Sequence, residues 1–310
     1  SIGAFEKTAD IEIGLGSRLD FVNAHYISGR DVTNYFSNYL YGKLQKEAFT
    51  NKEWFYNAQA QLFFTGAVVG DFSLNANAGR IIQDWAILQA GFSQSLATAP
   101  LFYSSFKTNF YERTATLDKQ SVTNVWAALG LPKWRSKISV RNNVLANYAY
   151  FDTTFHVQQQ AAAFNVLQVA GKKEFKLGVF YLDNEVIFQQ KTDNAPVNIP
   201  TWMFKHQFRV ETPAFQNKIQ FTTGLEVFYY SAFASTGYSP FLNQFYYQST
   251  YINSIRPEVS AFFNFKVRGF RAFLLVDQLQ TFIWGKNLYI ENYPGTGFNF
   301  RFGFNWVLVN

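Results

Sequence analysis

The stretch KIQFTTGLEVFYY, from Lys218 to Tyr230, decides the fold class because its side chains alternate between two chemical kinds. The odd positions from Ile219 to Tyr229 are Ile, Phe, Thr, Leu, Val and Tyr. The even positions from Gln220 to Phe228 are Gln, Thr, Gly, Glu and Phe. Successive side chains of a strand point to opposite faces of its sheet. The stretch therefore predicts a β-strand with one apolar face and one largely polar face.

The same alternation recurs along the chain. It predicts strands near residues 9–23, 35–48, 53–66, 70–81, 85–97, 120–131, 134–150, 202–211, 258–267 and 298–308. These segments run about 10 to 14 residues, whereas a soluble strand usually has about 5 or 6. A tilted strand that crosses a bilayer needs about 9 to 11 residues. Length and alternation together favour a transmembrane antiparallel β-barrel, with apolar side chains in lipid and polar side chains in the lumen.

Composition supports the membrane interpretation. Aromatic residues make up 20% of the chain and hydrophobic residues 48%, yet the mean hydropathy is −0.11. Strands that alternate apolar and polar residues combine these properties, and no stretch approaches the run of about 18 apolar residues that a membrane helix needs. An aromatic-rich soluble β-sandwich is the alternative.

The connections also alternate in length. Short turns are predicted at Leu131-Pro132-Lys133, Gly171-Lys172-Lys173, Thr212-Pro213-Ala214 and Arg268-Gly269, and long loops at 151–160, 191–200, 232–256 and 285–296. Outer-membrane barrels have short periplasmic turns and long extracellular loops. Residues 101–117 read equally well as a strand or a loop. As a loop they give 14 strands, and the even-number rule for single-chain barrels favours 14 to 16.

An ordered set of short motifs resembles the Putative porin family of Bacteroidota, which are outer-membrane barrels. The carrying residues are Gly70-Asp71-Phe72-Ser73-Leu74, Asn147–Asp152, Ala163–Gln168, Leu182-Asp183-Asn184, Phe262–Lys266, Arg271-Ala272-Phe273, Tyr293-Pro294-Gly295 and Phe300–Trp306. Two features depart from the pattern: family members are usually longer, and the last residue is Asn310 rather than a terminal aromatic. The resemblance implies no catalytic or ligand residues.

The whole chain, 1–310, is expected to form a single outer-membrane β-barrel domain, or the C-terminal part of a longer barrel protein. No signal peptide is recognisable in Ser1–Ala9. Either the numbering starts after its cleavage or the chain belongs to a longer protein. The predicted location is the cell outer membrane of a Gram-negative bacterium.

Residues for catalysis or metal binding are scarce. Cysteine is absent, and the three histidines, His25, His156 and His206, lack metal-ligand spacing. Gly14-Leu15-Gly16 begins like a dinucleotide loop, but Leu19 stands at the third glycine position. We therefore expect no enzyme, no metal and no cofactor. The net charge of +6 comes without a basic run, so nucleic acid is not an expected partner.

Charged residues on the polar phase of the strands are the candidate functional residues. The lumen-lining candidates are Lys137, Arg141, Lys205, Arg209, Lys218, Glu226, Glu258, Lys266, Arg271, Asp277 and Arg301, with Glu211 on the same phase. Charges that face lipid cost about 2–4 kcal/mol each for Arg or Lys at the midplane, so an inward placement is preferred. They could serve as structural salt bridges or line a solute path.

Two functions follow from these features. The inward charges and the resemblance favour a porin-like channel for passive diffusion of small polar solutes, with a mild anion preference. The aromatic loop 232–251 favours a closed or plugged barrel that serves as a structural or interaction subunit of a larger outer-membrane complex for secretion or nutrient uptake. That loop folds into the lumen, meets a partner or packs on itself. Expected partners are outer-membrane lipid and lipopolysaccharide, and a homo-oligomer or outer-membrane protein complex.

Overall fold

The computed structural model describes residues 9–26, 29–48, 53–83, 85–107, 112–216 and 218–307, without the side chains of residues 23–31. Within these residues, one sheet contains fourteen strands. They are β1 (Asp10–Tyr26), β2 (Gly29–Lys46), β3 (Trp54–Gly66), β4 (Phe72–Ile82), β5 (Ala86–Ala97), β8 (Gln120–Leu131), β9 (Ser136–Ala146), β12 (Phe164–Leu177), β13 (Phe180–Lys191), β14 (Trp202–Ala214), β15 (Ile219–Tyr230), β20 (Glu258–Val267), β21 (Phe270–Asp277) and β24 (Asn299–Trp306).

The order of strands in the sheet follows the order of the chain. Every described pairing is antiparallel, as between β14 and β15 or between β20 and β21. This confirms the predicted all-β antiparallel architecture and a strand count within 14 to 16. The described part of residues 101–117 contributes no strand to the main sheet. They contain the helix α1 (Leu101–Ser104) and the hairpin β6 (Ser105–Lys107) and β7 (Glu112–Thr114).

The remaining elements are short and lie in the connections. They are β10 (Tyr148–Phe151), β11 (Val157–Gln160), β16 (Phe233–Ala234), β17 (Gly237–Ser239), β18 (Gln244–Tyr246), β19 (Ile252–Asn253), α2 (Thr281–Trp284), β22 (Leu288–Ile290) and β23 (Tyr293–Pro294), with a 3₁₀ turn at Pro132–Trp134. In the described part of the chain, no helix is both long and apolar enough to cross a membrane.

From β5 onward, connection lengths alternate as the sequence predicts, whereas at the front the connection 47–53 between β2 and β3 is longer than 67–71 between β3 and β4. The strands β12 and β13 are joined by residues 178–179, β14 and β15 by 215–218, and β20 and β21 by 268–269. The opposite strand ends carry the longer connections 98–119, 147–163, 192–201, 231–257 and 278–298. We call these the short-turn end and the long-loop end.

Two predicted turns are wrong. Gly171-Lys172-Lys173 lies inside β12, and the chain turns at Gly178, whose φ of +59° suits glycine. Thr212-Pro213-Ala214 belongs to β14, and the turn follows at 215–218. The β13 ladder ends at the pair Phe180 and Val210. Pro213 therefore lies beyond β13, at a strand end where proline is tolerated.

The chain divides into two compact units. The first comprises Ser1–Pro132, Ser139–Leu167 and Lys191–Pro196. Its long loops pack on each other around Phe151, which is buried, and the guanidinium of Arg113 lies over the rings of Phe102, Phe106 and Phe151. The apolar face of its strands carries a hollow of about 920 Å³, and five of its fourteen lining residues are alanines.

The second unit comprises Lys133–Ile138, Gln168–Gln190 and Val197–Asn310. Its register keeps the predicted faces intact. Leu225 lies between Phe208 and Ala261, whereas Glu226 lies between Gln207 and Ser260. The apolar face is extensively exposed: the solvent-exposed fraction is 72% for Phe302 and 69% for Phe304. Contact of so large an apolar surface with water would be unfavourable. This is the surface that a lipid-embedded sheet presents.

Candidate functional site: the charged polar face

The cluster around Arg209 is the most connected group of charges on the polar face of the second unit. Its Nη2 donates to Glu174 Oε2 at 2.7 Å and its Nε donates to Glu211 Oε1 at 2.9 Å. Asp183 is a third ionic partner, and the ring of Tyr181 lies 4.4 Å from the Arg209 Cζ. One guanidinium thus joins β12, β13 and β14.

Arg135 extends this cluster by an ion pair with Glu174. The sequence analysis missed Arg135, Glu174, Asp183 and Tyr181. It placed a turn at residues 171–173, which hid the polar phase of β12. With β12 read to Leu177, the spacing of Lys172, Glu174 and Lys176 would have revealed that phase.

Smaller ion pairs cover the rest of this face. The Lys205 Nζ lies 3.1 Å from Glu226 Oε2, and Lys172 Nζ lies 2.9 Å from Glu185 Oε1. Gln207 also donates to Glu226 at 3.1 Å. Between β21 and β24, Arg301 forms an ion pair with Asp277.

Glu258 is hydrogen-bonded to neutral loop residues and not paired with a basic side chain among the described residues. It accepts hydrogen bonds from the hydroxyl of Tyr289 and, at 3.4 Å, from the amide of Asn287. Burial raises the pKa of Tyr289 to about 12, and its hydrogen bond to Glu258 adds to the effect. Glu258 therefore anchors the loop 278–298 to the end of β20.

The aromatic loop 231–257 is held by this neighbouring loop. Asn253 donates to Tyr289 O at 2.8 Å, and the rings of Tyr238 and Tyr293 meet at 5.3 Å. Phe241 and Phe245 nevertheless stay 57% and 55% exposed. Packing within the loops thus accounts for part of the aromatic surface and leaves the rest open.

Five of the basic lumen-lining candidates form no ion pair with any residue that the structure describes. Lys137 lies in the second unit and Arg141 in the first, both at odd positions of β9, which share one face. The other three are Lys218, Lys266 and Arg271, near the short turns of the second unit. In the second unit, the described polar-face carboxylates Glu174, Asp183, Glu185, Glu211, Glu226, Glu258 and Asp277 all have a basic or hydrogen-bonding partner.

The two histidine side chains that the structure describes, those of His156 and His206, are not arranged for metal binding. His206 Nδ1 lies 2.7 Å from Asn184 Oδ1 on the apolar face, and His156 bonds to Thr154. The side chain of His25 lies outside the described residues. Among described residues, no group of three or more His, Cys, Asp or Glu could hold a metal ion.

Comparison with known proteins identifies the family. The family model described as Putative porin matches residues 3–310. The chain belongs to this porin family. The resemblance read from the sequence is thus confirmed, while the Bacteroidota origin stays a prediction. No curated protein matches the chain in sequence.

Solved structures share the fold. The copper transporter OprC has a TM-score of 0.66 at 10% identity over 96% of this chain and 54% of its own. The ferric enterobactin receptor PfeA of Pseudomonas aeruginosa has a TM-score of 0.65 at 11% identity over 96% and 52%. The iron transporter FrpB of Neisseria meningitidis has a TM-score of 0.61 at 8% identity over 97% and 53%.

The porin chain therefore spans about half the length of these transporters. At such low identity the likeness establishes the fold, which is that of outer-membrane β-barrels. Family and fold together place the porin in the outer membrane of a Gram-negative bacterium. That the polar face is the lumen side and that the short turns lie in the periplasm stay predictions from the general architecture of such barrels.

Proposed function

We propose that this porin is a channel for passive diffusion of small polar solutes, with a mild preference for anions. One observation carries the anion preference. Among the described polar-face charges of the second unit, those without an ionic partner are basic except Glu258, which is hydrogen-bonded to Tyr289, because the other carboxylates are paired with basic residues. Rings of uncompensated basic charge attract anions and repel cations.

The preference should be mild and sensitive to salt. Paired charges such as Lys205 and Glu226 largely cancel at a distance, so Lys137, Lys218, Lys266 and Arg271 dominate the field. Mobile ions screen that field over about 8 Å at physiological ionic strength. A wide lumen would therefore select weakly, and selectivity should fall as salt rises.

Planar-bilayer recording tests the proposal. The purified porin should open steps of conductance, with a reversal potential on the anion side in a salt gradient. Lys266→Glu together with Arg271→Glu should move the reversal potential towards cations. The pair Arg256→Glu and Lys286→Glu, in the long loops, is the matched control and should move it less.

A protein that inserts but passes no current would overturn the channel. The interaction subunit would then be favoured, because the loop 231–257 presents Phe241 and Phe245 to the outside although hydrogen bonds order its backbone. A partner from secretion or uptake machinery would cover these rings. Co-purification that Phe241→Ser with Phe245→Ser abolishes would support that role.

A further inference from the structure

A basic pocket lies at the short-turn end of the second unit. It has a volume of about 640 Å³ and lies between the turns 215–218 and 268–269. The polar residues that line it are Lys218, Gln220, Lys266 and Arg268. The remaining walls are the apolar residues Phe215, Ile219 and Val267. None of these described lining residues carries a carboxylate.

The charge around this pocket is concentrated rather than balanced. Lys266 lies directly opposite Arg271 in the β20 and β21 ladder. Like charges in directly opposed positions destabilise a sheet. Elsewhere on the same face, Lys205 and Arg209 each have acidic partners, whereas no described carboxylate is paired with Lys266 or Arg271. An external anion would supply the missing partner.

The turn that carries Arg268 adds a second observation. Arg268 has a φ of +51°, in the left-handed region that favours glycine or asparagine. A two-residue hairpin turn normally takes Asn-Gly or Asp-Gly, and here it is Arg268-Gly269. Strained positions of this kind concentrate at ligand-binding sites. Arg268 thus stands at a position whose backbone conformation is unfavourable for its side chain, as do Phe215 and Gln216 in the facing turn.

The donor set selects the class of ligand. The lining residues Lys218, Lys266, Arg268 and Gln220 supply several N–H donors. None of the described lining residues is a carboxylate that would bind these donors instead of a ligand. Guanidinium binds phosphate with paired hydrogen bonds, and lysine binds it as a point charge. A singly charged carboxylate would leave most of these donors unused. The ligand that matches is a multiply charged tetrahedral oxyanion.

We propose that this pocket is a binding site for phosphate-bearing anions at the periplasmic mouth of the lumen. The proposal rests on the proposed channel in one respect: the row of Gln220, Lys266 and Arg271 lies on the face that solutes would follow. Phosphate captured there would be a solute held at the exit of the path. A phospholipid headgroup of the inner leaflet offers the same chemistry.

Binding can be measured without conduction. The probe is inorganic phosphate, followed by ³¹P line broadening with the purified porin in zwitterionic nanodiscs. We expect saturable broadening at physiological salt. Lys266→Gln with Arg268→Gln should weaken binding at least tenfold, while Lys266→Arg should retain it. Arg256→Gln with Lys286→Gln also removes one arginine and one lysine charge, but at the long-loop end, and should leave binding unchanged.

The outcomes separate the two proposals. Phosphate binding in a protein that passes no current keeps the site and removes the channel. Current with anion preference but without saturable phosphate binding, or binding equal in the two double variants, overturns the site. Nanodiscs that contain phosphatidylglycerol distinguish the source: undiminished phosphate binding assigns a soluble anion, and displacement of phosphate assigns a lipid headgroup. The thermal unfolding of each variant, measured alongside, identifies loss of binding through misfolding.

Discussion

The indole of Trp126 on β8 lies directly over Gly91 on β5, its partner in the ladder. A Cβ at residue 91 would lie 2.3 Å from the indole nitrogen, which is closer than any real contact allows. We expect Gly91→Ala to displace the ring and to lower the free energy of unfolding by about 1–3 kcal/mol, the usual cost of overpacking. Urea titration of the folded porin in micelles measures this.

Gly130 provides the control on the same pair of strands. A Cβ there would meet Ile87 at 3.7 Å, an ordinary contact. Gly130→Ala should therefore leave the unfolding midpoint nearly unchanged. Equal losses in the two variants would mean that glycine flexibility, rather than ring packing, explains the effect.

Alternation predicted the faces of the sheet correctly. Side chains change face at every residue, so the two-residue repeat can be read from neighbouring positions alone. Lys218–Tyr230 shows this: the ladder places its odd and even positions as read. The residues at which strands end were harder to predict from the sequence. Residues 171–173 look like a turn, but Lys172 binds Glu185 and Lys173 binds the carbonyl of Trp134, so β12 continues. Contacts this far apart in sequence leave no local signal.

The ion pairs were beyond prediction for the same reason. Alternation could place Arg209 on the polar face, but only the register brings it to Glu174, 35 residues earlier in the chain. The pattern therefore yields the list of polar-face charges and not the division into paired and unpaired ones. That division depends on the stagger of neighbouring strands.

The two faces should respond differently to the same new charge. Leu225 lies mid-strand on the apolar face and is 48% exposed, whereas Thr222 lies on the polar face opposite Glu211. Leu225→Arg should cost about 2–4 kcal/mol if it lies near the midplane, and Thr222→Arg much less. Heat-modifiable gel mobility reports assembly of each variant. Equal assembly defects would contradict the assignment of faces.

The orientation of the long loops can be tested with single cysteines, because the chain has none. Lys286→Cys lies in the loop 278–298 and Arg268→Cys in a two-residue turn. A membrane-impermeant maleimide added to intact cells should label residue 286 and spare residue 268. Labelling of both after lysis is the control for reactivity. The reverse pattern on intact cells would place the short turns outside.

The contact between Tyr289 and Glu258 should depend on pH in the alkaline range. Burial raises the pKa of Tyr289 from 10.0 to about 12. A raised pKa favours the neutral hydroxyl in the folded state, so its stabilising effect is complete below pH 10 and is lost as pH rises towards 12. The difference in absorbance at about 295 nm between wild type and Tyr289→Phe should titrate near 12. A midpoint near 10 would mean that the hydroxyl is not held in the fold.

Arg209 should contribute more to stability than any other charged residue of the polar face. Its side chain is 18% exposed and neutralises Glu174, Asp183 and Glu211 together. Removing one partner from a fully buried pair costs about 3–5 kcal/mol. Arg209→Ala should cost less than that because its partners are 24–43% exposed, but more than breaking a single exposed pair because three carboxylates then face one another. Lys205→Ala breaks a single exposed pair and should cost about 0–1 kcal/mol. Adding Glu174→Gln to Arg209→Ala removes one of the repelling charges and should recover part of the loss, measured by urea unfolding of all four proteins. If Glu174→Gln gives no recovery, the cost comes from lost packing against Tyr181 and not from the uncompensated carboxylates.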